Sequence, residues 1–424
     1  MNTANLIPEI YVLWHPHCEL GEFLARRIHG WLRPGNGLGP QVFYRSLAAP
    51  EAPAGGLPPP LPGETRGAPP TSAAPRVSNL QIVLPLIDEH MIADAAWRHW
   101  LAQLASPSAA PEPREFMPVA LDSTAFNAPE PLREKNFLRP TGASPAGPMD
   151  AAAKEMLARS LLKQLTEAMC RLLLGQEPGA LSPPHAPASV VGEGTAPKVK
   201  IFLSHAKVDG IAPARRIRDY IYSQTQLAAF YDENDIPFGS VFRRVLDRNV
   251  QGEETAALIA VRSARYASRP WCRRELSLFR RPLPETADPL TATRWRLSPV
   301  VVVEAIEGGG RTAGIPELGN APLIRWDDTV PEQEEQIVTT LLRDAMLAAF
   351  HGALGRTLPE QPDRIILNWL PDPTTLLHIP RVRATAAGEL KVFYPGRGLS
   401  GLELDILFDF FPNLEFRSFE EVLS

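Results

Sequence analysis

The amino-acid sequence predicts an α/β protein with two mostly parallel sheets, each flanked by helices on both faces, and a small α/β unit at its C-terminal end. Three observations predict it. Short apolar runs of strand length alternate with amphipathic helical patterns, as right-handed βαβ crossovers require. The alternation occurs twice in the same order, on either side of a stretch rich in Pro and Gly at 176–197. The chain has 424 residues, 44% of them apolar, which is enough for well-packed cores and too long for one ordinary domain.

The first copy is expected over 1–175. It opens on the strand "IYVLWH" (10–15), followed by "ARRIHGWL" (25–32), a helix apolar on one face and basic on the other. "VFYRS" (42–46) is a second strand. Residues 47–77 are Pro-rich and read as a flexible insertion. "IVLPLIDEHMIADAAWRHWL" (82–101) joins a strand to a helix, "MPVALDS" (117–123) is a further strand, and "AKEMLARSLLKQLTEAMCRLLLG" is the closing helix. Residues 176–197 read as an interdomain linker.

The second copy is expected over 198–353. Its counterparts are "IFLSH" (201–205), "ARRIRDYI" (214–221), "AFYDE" (229–233), "AALIAVRSARYASRPWCRREL" (256–276) and "SPVVVVEA" (298–305), with "EEQIVTTLLRDAMLAAFHGALG" as its closing helix. No single match is persuasive, but their common order points to duplication. Residues 356–424 read as the third unit, with "RIILNWL" and "ELKVFYP" as strands, "SGLELDILFDFF" as a helix and "LEFRSF" as a last strand.

Composition narrows the function classes. A net charge of -5 and a pI near 6.0 give no footprint for nucleic acid and no polybasic membrane patch. Three widely spaced cysteines, Cys18, Cys170 and Cys272, do not make a disulfide framework and suit a reducing cytosol. The N-terminal "MNTANLIPEIYVLWHPH" lacks a signal peptide's basic start and apolar run, and no uninterrupted apolar run is long enough to span a bilayer. A soluble cytoplasmic protein is expected.

In open α/β sheets, ligands bind outside the carboxyl ends of the strands. In the second copy those ends carry "SHAKVDG", "YDENDIPFGS" and "VRSARYAS"; in the first they carry "WHPHC", the Pro-rich insertion and "LIDEH". His15 and His17 stand at i and i+2 beside Cys18, with no second pair at zinc-like spacing, so no metal is expected. The "GRG" of "YPGRGLSG" reads as a tight turn into a helix; a lone Gly-x-Gly is weak evidence for phosphate. With Trp97 and Trp271 aligned, the position of Glu275 falls at Leu101.

Three motifs of the second copy, "KIFLSHAKVDG", "FYDENDIPFGS" and "S..Y..S.PWC..EL" from Ser263, resemble the TIR (Toll/interleukin-1 receptor) domain of bacterial proteins over 198–353. The first copy is similar on weaker grounds, as a degenerate, tandem relative. The resemblance implies flavodoxin-like sheets and cleavage of the nicotinamide N-glycosidic bond of NAD⁺, with Glu275 as the catalytic group. NAD⁺ is then a substrate, and no further cofactor is implied. The resemblance also places Ser204, His205 and Asp232 at the pocket mouth, Phe242 beside the nicotinamide after the Gly239 loop, and Trp271 as a buttress of the Glu275 helix or a ligand contact. It further implies a homo-oligomer assembled through TIR–TIR contacts, an unidentified activating partner, and a role in bacterial antiphage immunity.

The chemistry suits a carboxylate. Breaking an N-ribosyl bond builds positive charge on the ribose while nicotinamide leaves as a neutral base. One carboxylate facing that charge stabilises the transition state more than the ground state. Read alone, Glu275 is an ordinary solvated helix carboxylate, Cys272 a small apolar packing residue, and His205 a strand-end polar group. Two other functions fit the same motifs: a non-catalytic TIR–TIR scaffold, and a ribosyl enzyme acting on free nucleosides or nucleotides.

Overall fold

The computed structural model describes residues 6–34, 37–46, 56–58, 60–62, 77–106, 113–141, 149–173, 200–225, 228–231, 256–306, 314–319, 321–384 and 390–423. The chain divides into two compact units, residues 4–168 and 169–424. The linker expected over 176–197 lies outside the described residues.

The first unit runs β1 (Pro8–Trp14), α1 (Gly21–Leu32), β2 (Gln41–Arg45), β3 (Leu80–Ile87), α2 (Glu89–Ala93), α3 (Ala95–Ala105), β4 (Arg114–Phe116), β5 (Val119–Ala120), α4 (Glu130–Arg133) and α5 (Ala151–Leu173), whose last residues fall in the second unit. Its sheet has the order β2-β1-β3-β4, with β5 also on β3, and all pairs are parallel. β1 and β3 are buried along their whole length, as central parallel strands are. Of the strand expected at 117–123 only β5 forms; β4 ends before it, and Pro118, with no N–H to give the ladder, separates the two. Part of the Pro-rich insertion is packed rather than loose. Leu61 is buried in the core with Trp97, Trp100 and Leu101, and the Pro62 carbonyl accepts from Gln81 Nε2 at 3.0 Å.

The second unit holds two sheets. β6 (Lys200–His205), α6 (Ile211–Gln224), β7 (Ala228–Tyr231), β8 (Ala256–Arg262) and α7 (Pro270–Phe279) come first. β9 (Leu283–Pro284), β10 (Arg294–Arg296), β11 (Val300–Glu304), β12 (Leu323–Arg325) and α8 (Gln333–Gly355) follow. The sheet order β12-β11-β8-β6-β7 is parallel throughout. The chain moves from β6 outward to β7 and then returns past β6 to β8. The crossover direction therefore reverses at the carboxyl ends of β6 and β8, the usual ligand crevice of such sheets.

The last segment forms β13 (Arg364–Leu367), α9 (Pro373–Leu376), α10 (Pro380–Ala384), β14 (Leu390–Tyr394), α11 (Gly401–Phe410), β15 (Leu414–Ser418) and α12 (Phe419–Leu423). Its sheet, β15-β14-β13-β10-β9, takes two strands from residues 283–296, and only β9–β10 is antiparallel. The core of this sheet joins Trp295 and Ala292 to Ile365, Val392 and Phe416. The third unit thus reaches back beyond the 356–424 assigned from sequence.

One helix among the described residues is apolar and long enough to cross a membrane, Gln333–Arg356, and most of that window is buried against the protein. Glu334, Glu335, Arg343 and Asp344 interrupt it, so it is not the uninterrupted apolar run of a spanning segment. The helix includes α8, whose Ile337, Leu341, Leu342, Ala345 and Met346 are core residues.

Candidate active site

The crevice is built around Ser204 and His205, the last residues of β6, which pair with Ala260 and Val261 of β8. Both side chains are buried. The Ser204 Oγ lies 2.9 Å from the Tyr266 hydroxyl, also buried. Tyr266 donates to the Cys272 carbonyl at 3.3 Å. A phenol has one proton, so the Ser204 hydroxyl is the donor in the first bond. Burial, together with the carboxylates of Glu275 and Glu317, raises the Tyr266 pKa well above that of an ordinary phenol, although the Ser204 bond works against this. Tyr266 therefore stays neutral and acts as a fixed post.

Helix α7 presents Glu275. Pro270 starts the helix, where a missing N–H costs nothing. Cys272, Leu276 and Phe279 form its buried stripe at i, i+4 and i+7. Glu275, next to Leu276, lies half-buried at the margin of that stripe. Its charge acts on the Tyr266 hydroxyl, so Ser204, Tyr266 and Glu275 belong to one electrostatic neighbourhood. The Cys272 thiol donates to the His205 carbonyl at 3.4 Å and pins the helix to the end of β6.

A second tie joins the loops. Asp209 accepts from Ser263 Oγ at 2.6 Å and from the Arg265 N–H at 2.8 Å, linking the loop after β6 to the loop after β8. Gly210 follows, where an added Cβ would meet the Ala206 carbonyl oxygen at 3.1 Å. At the same sheet edge, Arg262 of β8 donates to Glu304 of β11 at 3.1 Å. Sequence reasoning assigned no role to Tyr266 or Asp209. The only signal was their place inside "S..Y..S" and "SHAKVDG".

The remaining candidates separate. Trp271 does not buttress the helix from beneath: its side chain is 55% exposed, with the Arg274 guanidinium 5.9 Å from its ring. Asp232, Phe242 and the Gly239 loop lie outside the described residues.

In the first unit, "WHPHC" meets residues no spacing argument had joined to it. His15 Nε2 lies 3.6 Å from Asp94, and His90 Nδ1 lies 3.4 Å from Asp88. The His15, His17 and His90 rings lie within 6.0 Å of one another. Burial and the Asp88 carboxylate push the Cys18 thiol up to about 12. Among the described residues, no group of three or more His, Cys, Asp or Glu side chains is placed to hold a metal ion. Leu101, aligned with Glu275, is fully buried.

Comparison with known proteins gives one family match, the TIR domain, over residues 201–336. No curated protein matches the chain. Among solved structures, the TIR domains of the activated Roq1 resistosome, described as directly recognizing the pathogen effector XopQ, match at 14% identity and a TM-score of 0.20. That match covers 36% of this chain and 83% of the other.

Proposed function

With a TIR domain across residues 201–336 as the premise, we propose that the chain is an NAD⁺ hydrolase with Glu275 as its catalytic carboxylate. The observation that supports this is the position of Glu275. It is half-buried on α7, the helix tied by Cys272 to the end of β6, and its charge acts on the neutral Tyr266 that bonds Ser204. In the reaction the bond from ribose C1′ to the nicotinamide nitrogen breaks, and its electron pair leaves with nicotinamide. Glu275 faces the resulting positive charge. A water oxygen then bonds to C1′ and loses a proton, giving ADP-ribose; attack by an adenine nitrogen gives the cyclic product instead. His205, Asp232, Phe242 and Trp271 remain proposed pocket residues. Assembly through TIR–TIR contacts completes the pocket, with a further partner as trigger. The biological reading, a cytoplasmic antiphage effector that depletes NAD⁺, rests on fold-level analogy.

The test is nicotinamide release by concentrated full-length protein. Glu275→Gln should lower the rate about a hundredfold or more, the scale for removing one electrostatic stabiliser, with thermal unfolding unchanged. A Glu275→Gln protein that turns over NAD⁺ at the wild-type rate would refute the mechanism.

A scaffold role is the second reading, and one observation favours it for the first unit. That sheet has the same β2-β1-β3-β4 order, yet Leu101 occupies the aligned position inside the core. We read this unit as a degenerate relative that binds or regulates without catalysis.

A further inference from the structure

We infer that helix α11 is a docking surface for a basic amphipathic helix of another polypeptide, independently of any catalysis at Glu275. The helix carries two separate apolar rows. Leu404, Leu407 and Phe411, at i, i+3 and i+7, pack into the core of the third sheet. Leu402, Ile406 and Phe410, at i, i+4 and i+8, point the other way and are 72%, 45% and 61% exposed. At about 100° per residue the centres of the two rows lie about 130° apart around the helix axis. A helix apolar on both sides is normally buried on both, and a contiguous exposed apolar row marks an interaction site.

The rim identifies the occupant. On the same wheel, Asp405 and Asp409 border one edge of the exposed row and Glu403 borders the other; all three are acidic, and the helix itself carries no Lys or Arg, though the Arg397 charge reaches Glu403. A second copy docked through this face would set carboxylates against carboxylates. An anionic membrane surface would meet the same repulsion. A helix with an apolar stripe and flanking Lys or Arg side chains satisfies both the row and its edges. The surface is also prefolded: Ser400 and Glu403 form a capping box, with Glu403 accepting from the Ser400 N–H at 2.7 Å. Binding therefore need not supply the cost of ordering α11.

The probe is a labelled 14-residue Leu/Lys amphipathic peptide, with a Leu/Glu peptide of the same pattern as control. Binding to the full chain is followed by fluorescence anisotropy. The Leu/Lys peptide should bind at one saturable site and the Leu/Glu peptide should not. Leu402→Ser with Phe410→Ser should weaken binding at least tenfold, and Asp405→Asn with Asp409→Asn should remove most of its salt dependence. Both pairs sit at exposed positions, and circular dichroism checks that α11 is retained. Wild-type affinity in the Leu402→Ser/Phe410→Ser protein overturns the inference, as does equal binding of the two peptides. Sedimentation of a dimer that this variant dissociates would assign the face to a second copy. Binding to anionic vesicles that the same variant abolishes would assign it to a membrane. Either would also overturn it.

Discussion

Removing the Tyr266 hydroxyl tests whether the crevice is held by the bonds described. Tyr266→Phe keeps the ring in its buried position but leaves the Ser204 hydroxyl and the Cys272 carbonyl without the partner they share. A buried polar group left unsatisfied costs about 1–3 kcal/mol. Ser204→Ala is milder, because Tyr266 keeps its bond to Cys272; about 1 kcal/mol is expected. The double variant removes the donor and the acceptor together, so its cost should fall short of the sum by about 1 kcal/mol of coupling. Scanning calorimetry of the full chain resolves this. For a unit of this size, each 1 kcal/mol lowers Tm by about 2–4 °C. Only the transition of the unit containing 169–424 should move. A Tyr266→Phe protein within about 0.5 kcal/mol of wild type, or strict additivity of the two changes, would refute the network and with it the fixed post beside Glu275.

Two further outcomes follow from the second unit. His351 of α8 is buried, with Nδ1 3.3 Å from the Asn368 carbonyl oxygen, and burial lowers its pKa from 6.5 to about 4. The unfolded chain therefore takes up the proton first. The stability this residue contributes is complete above about pH 6.5 and is lost as pH falls toward 4. Between pH 7 and 5 the loss is about 2 kcal/mol, and chemical denaturation should show His351→Gln to be less sensitive over that range. Gly355→Ala would bring a Cβ to 2.9 Å from Ile366 Cγ2 and 3.4 Å from Phe419 Cζ, so about 1–3 kcal/mol of overpacking should appear as a lower Tm.

Much of the fold was legible because parallel strands buried on both faces must be continuous apolar runs. β1, β3, β6, β8 and β11 all stood out in this way. β9 and β10 did not, since two- and three-residue strands carry no periodicity, and β10, which joins them to the sheet, pairs with β13 beyond residue 363. The positions of the motif residues were legible: Ser204 and His205 end β6, and Glu275 stands on α7, whose Cys272 thiol bonds the His205 carbonyl. Trp271, which the resemblance made a buttress or a ligand contact, stands in the first turn of α7 and is more than half exposed, a direction that motif spacing does not give. Tyr266 could not be identified from spacing, because its role depends on a bond to a residue 62 positions away. The same holds for His90, brought to the "WHPHC" loop by the pairing of β1 with β3.

The sheet that borrows β9 and β10 has a consequence for how this protein can be cut. A truncation after residue 355, at the end of α8, removes β13, β14 and β15 and leaves a two-stranded remnant whose Trp295 has lost its apolar cover. That remnant begins four residues after α7 ends at Phe279. The damage would therefore fall next to Glu275 even though no residue of the crevice had been deleted. The segment that carries Glu275 and the C-terminal tail share a folding unit, and a gene fragment that follows the family boundary does not follow the folding boundary.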